Sequence, residues 1–225
     1  MGKIFLTTKD GVKIAANLYP IESPAGWIIF SHMMPAMKES WNDLAKRFQG
    51  AGYEGIAIDL RGHGESISGG LTRKSNYRNF SDTEHQKSIL DLEAAADFLI
   101  KERKAAAGKI SFVGASIGAN LSLQYISEHP EFKTAVLLSP GLDYRGVKTE
   151  PMVKKLSAGQ KVFFVSAQDD IRSGGNNAEE NQKLYDLTPP EVEKQIKIYE
   201  TGGHGTDILK SQPELAEKIK DFIFS

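Results

Sequence analysis

Five short apolar runs, "GWIIFSH" (26–32), "GIAIDL" (55–60), "KISFVGAS" (109–116), "TAVLLSP" (134–140) and "KVFFVSAQDD" (161–170), recur along this chain and alternate with segments of helical periodicity. Each is rich in β-branched or aromatic residues, bounded by turn formers, and lacks the polar-apolar alternation of a half-solvated strand. Such runs belong to strands covered on both faces. The intervening segments supply the covers. "SDTEHQKSILDLEAAADFLIKERKAAAG" opens with Ser81 and Glu84 at capping-box spacing, repeats apolar residues at Ile89, Leu92, Ala96 and Leu99, and reaches Gly108, which predicts one helix. "SQPELAEKIKDFIFS" places Leu215, Ile219 and Phe222 on one helical face.

Strands alternating with helices require right-handed crossovers, hence an α/β fold with a mostly parallel sheet flanked by helices on both faces. The N-terminal "IFLTTKDGVKIAANLYP" differs, because Asp10-Gly11 between two alternating segments predicts an antiparallel hairpin. With 225 residues, 40% of them hydrophobic, and no linker, repeat or low-complexity tract, residues 1–225 are expected to form a single domain.

Charge and composition exclude several classes. Lys plus Arg (28) balance Asp plus Glu (29), so no basic field draws the chain to nucleic acid or anionic lipid. There is no cysteine, which removes disulfides and thiol nucleophiles. No run reaches ~18 apolar residues and the start lacks a signal-peptide core, so no membrane insertion is expected and a cytoplasmic location is. A leader already removed would leave no trace. Without H-E-x-x-H, G-x-G-x-x-G or Walker sequences, no metal or cofactor is expected.

"VGASIGAN" holds a serine between two glycines, Gly114-Ala115-Ser116-Ile117-Gly118, where a predicted strand passes into a predicted helix. In that context the pentapeptide reads as a nucleophile elbow. The tight turn exposes the hydroxyl, and the helix N-terminus turns its free amides toward any anion formed beside it. A serine nucleophile needs a base, and of the five histidines only His129 and His204 follow Ser116. His129 falls at the end of the same helix, roughly 20 Å away at ~1.5 Å per residue. His204, in the glycine-flanked loop "ETGGHGTD", is free to swing over the sheet. The carboxylates that close a strand between Ser116 and His204 are Asp169 and Asp170, either of which fits the orienting role.

With these residues in place the chain resembles the α/β-hydrolase superfamily over nearly its whole length. "FVGASIGAN" looks like the elbow, "IDLRGHGES" like the loop after the fourth strand, "YETGGHG" like the catalytic-histidine loop, and "WIIFSHM" like the strand that ends in His-Gly in many relatives. The resemblance implies a Ser116-His204-Asp170 triad, Asp170 being preferred over Asp169 because it stands three residues after Ala167, where relatives carry a glycine. It implies an oxyanion hole from the amides of Ile117 and Met34, although Met33 replaces the usual glycine. Structural roles are implied for Asp59, Arg61, His63 and His32.

The expected function is a serine hydrolase cleaving small carboxylic esters through an acyl-enzyme. The alternatives are a thioesterase or dienelactone-hydrolase-like activity, or a ligand-binding or receptor protein with slow turnover. A dehalogenase would carry aspartate at position 116. Only about twenty residues separate "TAVLLSP" from "KVFFVSAQ", too few for an independent helical cap, so no large lid is expected. Substrate contacts are then expected from Met33, Met34 and Met37, from Tyr77 in the 65–81 loop, and from Leu142 and Tyr144 in the 140–160 loop. The partner is a small-molecule ester, and the protein is expected to be a monomer or homodimer.

Overall fold

The computed structural model describes residues 1–67, 76–172 and 175–225. Eight strands form the central sheet: β1 (Gly2–Thr7), β2 (Lys13–Tyr19), β3 (Trp27–Ser31), β4 (Glu54–Ile58), β5 (Ile110–Ala115), β6 (Thr134–Leu138), β7 (Lys161–Ala167) and β8 (Glu193–Tyr199). Their spatial order is β1-β2-β4-β3-β5-β6-β7-β8. β1 and β2 form the expected antiparallel hairpin, β2 joins β4 antiparallel, and every pairing from β4 to β8 is parallel. Every residue of β3, β4, β5 and β6 is buried, as the unbroken apolar runs require.

Successive side chains on these strands enter opposite layers. Phe164 and Leu137 enter one apolar cluster, Phe163 and Leu138 the other. Helices α2 (Ile89–Lys101), α3 (Ile117–Glu128) and α4 (Asn177–Leu187) cover the first layer through Leu92, Leu121 and Leu184. Helices α1 (Asn42–Gly50) and α5 (Leu215–Phe224) cover the second through Phe48, Ile219 and Phe222. Among the described residues, no helix is long and apolar enough to cross a membrane.

One helix differs from expectation. The capping box at Ser81 and Glu84 is present, but it opens only a short helix, Asp82–Gln86, and α2 starts afresh at Ile89. α2 then stops well before Gly108: Lys104 takes φ of 57°, and the Ala105 amide closes onto the Leu99 carbonyl at 3.0 Å. This is the left-handed terminator normally built on glycine, here built on lysine.

Parallel pairing brings the C-terminal ends of β3, β5, β6, β7 and β8 to one edge of the sheet, where ligands of open α/β sheets bind. Residues 139–160, between β6 and β7, fold into a hairpin pairing Asp143–Tyr144 with Val147–Lys148 and a one-turn helix, Glu150–Val153. That is a small cover rather than a separate lid.

Candidate active site

Ser116 lies between β5 and α3 with φ 54° and ψ −122°, a backbone conformation that costs a non-glycine residue about 1–3 kcal/mol. It is imposed from both sides. The Ser116 amide extends the β5–β6 ladder by donating to the Leu138 carbonyl at 2.8 Å, and its own carbonyl accepts from the Ala119 and Asn120 amides to start α3. The flanking glycines are obligatory for space. A Cβ at Gly114 would sit 2.3 Å from the Gly118 carbonyl oxygen, and one at Gly118 would sit 2.3 Å from the Ser31 carbonyl oxygen. Strand, helix and the end of β3 therefore meet at backbone contact, and Ser116 is held at the start of a three-turn helix.

His204 follows β8 and is 7% exposed. Its Nδ1 meets Asp170 Oδ2 at 2.5 Å, with both groups buried. The other nitrogen, Nε2, is buried and has no hydrogen-bond partner among the described residues. The loop lies against the elbow: a Cβ on Gly205 would be 3.3 Å from the Ala115 Cβ and 2.7 Å from Met33 Sδ. His129 caps the far end of α3, remote from Ser116.

The two adjacent aspartates diverge. While Asp170 turns to the imidazole, Asp169 accepts hydrogen bonds from the Gly202 amide at 3.0 Å and the Gly203 amide at 3.0 Å, staking down the backbone just ahead of His204.

At the end of β3, His32 is fully buried, and burial pulls its pKa down to about 4. Its Nε2 accepts from the Leu60 amide at 3.0 Å, so Nδ1 carries the proton and donates to the Met33 carbonyl at 2.9 Å. In a trans peptide the N–H opposes the C=O. His32 thus fixes the direction in which the Met34 N–H points.

Charged pairs tie down the described residues that directly follow β4. The Asp59 carboxylate accepts from the Lys38 amide, Lys38 Nζ and the Glu65 amide, and Arg61 is bound to Asp91 and Asp10. His63 stacks on Tyr77 with ring centroids 3.9 Å apart.

The remaining residues expected to contact substrate are not equivalent. Met33 and Met34 part company, Met33 packing into the α1/α5 layer and Met34 into the α2/α3 layer. Met37 is exposed. Leu142 packs against the core, whereas Tyr144 stands edge-on to His204 at 6.2 Å and receives a hydrogen bond from Asn177 Nδ2 at 3.3 Å. Residues 68–75 of the 65–81 loop lie outside the described residues.

A buried amide network that sequence reading missed fixes the Tyr144 hairpin. Asn120 bonds the Gly141 amide and the carbonyls of Gly141 and Val147, and Asn177 and Asn181 both donate to the Pro140 carbonyl. No local motif announces it, because its partners are 21 to 41 positions apart. Among the described residues, no group of three or more His, Asp or Glu side chains is placed to hold a metal ion.

The family model described as serine aminopeptidase, S33, matches residues 22–170, which include the elbow and both aspartates. The chain belongs to that family, a group of α/β-hydrolases. It is 30% identical over 135 residues to a non-heme chloroperoxidase from Kitasatospora aureofaciens, a match covering 59% of this chain and 42% of that protein. The chain spans about half the length of the curated relatives it matches. Among solved structures, DcsB in complex with its substrate analogue superposes with a TM-score of 0.80 at 15% identity, covering 99% of this chain and 98% of that one. The esterase Pf2001 from Pyrococcus furiosus superposes with a TM-score of 0.75 at 18% identity, covering 99% and 91%. At these identities the structural likeness speaks for the fold alone.

Proposed function

We propose that this α/β-hydrolase is a serine esterase that cleaves short carboxylic esters through a covalent acyl-enzyme on Ser116. The observation that carries the reading is the His204 imidazole, tied to Asp170 through Nδ1 at 2.5 Å, with an Nε2 that has no hydrogen-bond partner among the described residues and a loop that packs on the residue before Ser116. Nδ1 bears the proton donated to Asp170, so Nε2 presents a lone pair. It accepts the Ser116 proton as Oγ attacks the ester carbonyl, and Asp170 stabilises the resulting imidazolium.

The carbonyl oxygen becomes an oxyanion held by the amides of Ile117, at the positive end of α3, and Met34, oriented through His32 and the Met33 carbonyl. The imidazolium returns its proton to the departing alcohol. Water then attacks the acyl-serine with His204 again as base, and the imidazolium gives that proton to the departing Ser116 Oγ, releasing the acid and restoring the serine. Each step moves one proton and needs no further group. The solved esterase Pf2001 supports the choice of substrate by analogy of fold.

The test is covalent labelling of the intact protein with a fluorophosphonate, followed by peptide mapping. The proposal expects one adduct, on Ser116, that blocks hydrolysis of nitrophenyl acetate. An adduct elsewhere with hydrolysis retained contradicts it.

A further inference from the structure

Among the described residues, two serines occupy left-handed backbone, at the ends of neighbouring parallel strands. Ser116 has φ 54° after β5, and Ser139 has φ 50° after β6. Each carries its sheet ladder one bond further before turning, Ser116 to the Leu138 carbonyl at 2.8 Å and Ser139 to the Val165 carbonyl at 2.7 Å. The strain at Ser116 has a reason in the nucleophile it presents. Ser139 is fully buried and presents nothing to solvent. Glycine would adopt the same backbone without strain, so a serine held there at a cost points to a use for its side chain.

That use is visible in its bond. Ser139 Oγ accepts from the Gly205 amide at 2.9 Å, in a buried contact between residues 66 positions apart. Gly205 directly follows His204, and has itself a left-handed φ of 58°. On the other side of His204, the Asp169 carboxylate holds the amides of Gly202 and Gly203. The imidazole is therefore carried on a short arc of backbone pinned at both ends, with Asp170 setting its rotation from the side. Three glycines in four loop positions would leave such an arc mobile; the two clamps remove that freedom.

We infer that Ser139 is a positioning residue for His204: its hydroxyl oxygen anchors the Gly205 amide and thereby holds the imidazole-bearing loop against the elbow that carries Ser116. The inference rests on the triad reading above. It extends that reading to a residue that touches neither substrate nor reacting atoms and that belongs to no catalytic motif.

The test uses Ser139→Gly and Ser139→Ala in the full chain, with thermal midpoint, kcat and KM on nitrophenyl acetate, and the proton NMR signal of the His204 Nδ1–H. Glycine separates the two roles of the side chain, because it removes the hydroxyl while relieving the left-handed strain. The expected result is a thermal midpoint for Ser139→Gly at or above that of the unmutated protein. Its kcat falls about 10- to 100-fold, the range for a small misplacement of a catalytic group. KM changes by less than about twofold, and the Nδ1–H signal broadens through faster solvent exchange. Ser139→Ala should show the same kcat loss without the gain in stability.

Unchanged kcat and an unchanged His204 signal in Ser139→Gly overturn the inference, and so does a kcat loss in Ser139→Ala that vanishes in Ser139→Gly, since that would trace the loss to strain. Failure of the triad reading shows up separately, as turnover retained by Ser116→Ala; the NMR signal then still decides whether Ser139 holds His204.

Discussion

Asp170 and Asp169 are neighbours in sequence whose carboxylates serve the same loop in different ways, Asp170 meeting the His204 ring at 2.5 Å and Asp169 meeting the Gly202 and Gly203 amides that carry it. Asp170→Asn replaces an acceptor by an amide that favours the wrong imidazole tautomer, and kcat should fall by about 10⁴-fold. Asp169→Asn keeps one oxygen able to accept from the loop amides, so its loss should stay within about 10-fold. The two kcat values on one ester decide the matter. A larger loss at Asp169 would exchange their roles.

The elbow glycines give a prediction about stability. A Cβ on Gly118 would meet the Ser31 carbonyl oxygen at 2.3 Å and the His32 carbonyl oxygen at 2.8 Å, and neither is a flexible side chain that can withdraw. Gly118→Ala should destabilise the protein by about 1–3 kcal/mol or more and displace β3 from α3. Chemical denaturation measures this, and a midpoint equal to that of the parent would mean the strand and helix part more readily than their contact suggests.

Acidification should weaken the fold in a defined window. Burial pulls His32 down to about 4 and His63 to about 3. Between pH 4 and 6.5 the unfolded chain takes up a proton on each histidine that the folded protein refuses. Asp91 works in the opposite sense, since burial pushes it up to about 7 and the folded protein holds that extra proton. His85 adds to the histidine effect and Glu180 opposes it. The two histidines outweigh Asp91, so stability should rise as the pH increases from 4 to 6.5 and level above. Urea midpoints across this range that are flat, or that rise toward acid, would contradict the burial of two neutral histidines.

On the proposed reading, the hairpin beside His204 limits substrate size. Tyr144 stands against His204, and its hairpin is fixed by Asn120 and Asn177. Residues 139–160 build no separate lid, so only a few methylenes can be buried at ~0.8 kcal/mol each. Across nitrophenyl esters from C2 to C12, kcat/KM should peak between acetyl and butyryl and fall by octanoyl, without activation by lipid droplets. A maximum at C10 or beyond would require an acyl tunnel.

What was legible in the sequence was what repeats or clusters locally. Central strands buried on both faces leave unbroken apolar runs, and the elbow compresses a strand end, the proposed nucleophile and two close-contact glycines into five residues. The adjacent aspartates were legible as a pair, with the spacing from Ala167 favouring Asp170 as the partner of His204, whereas the bonds of Asp169 to the Gly202 and Gly203 amides were not legible. The break of the 81–108 segment was hidden, because Lys87 and Ser88 carry no strong stop signal and Lys104 stands where glycine usually ends a helix. The clamp from Ser139 to Gly205 and the asparagines beneath Gly141 were hidden for another reason. Each is an ordinary polar residue whose partner lies tens of positions away, so no local pattern contains both halves. Met33 and Met34 look interchangeable in sequence, yet their side chains enter opposite layers.

The most direct measurement is ester turnover by Ser116→Ala at matched thermal stability. The substitution removes one oxygen from a turn whose shape Gly114 and Gly118 impose, so the fold should persist and the far-ultraviolet spectrum should match the parent. Fluorophosphonate labelling should be lost, together with a fall in kcat on nitrophenyl acetate of several orders of magnitude. A correctly folded Ser116→Ala protein that turns the ester over at near the parental rate would contradict the proposed role of Ser116.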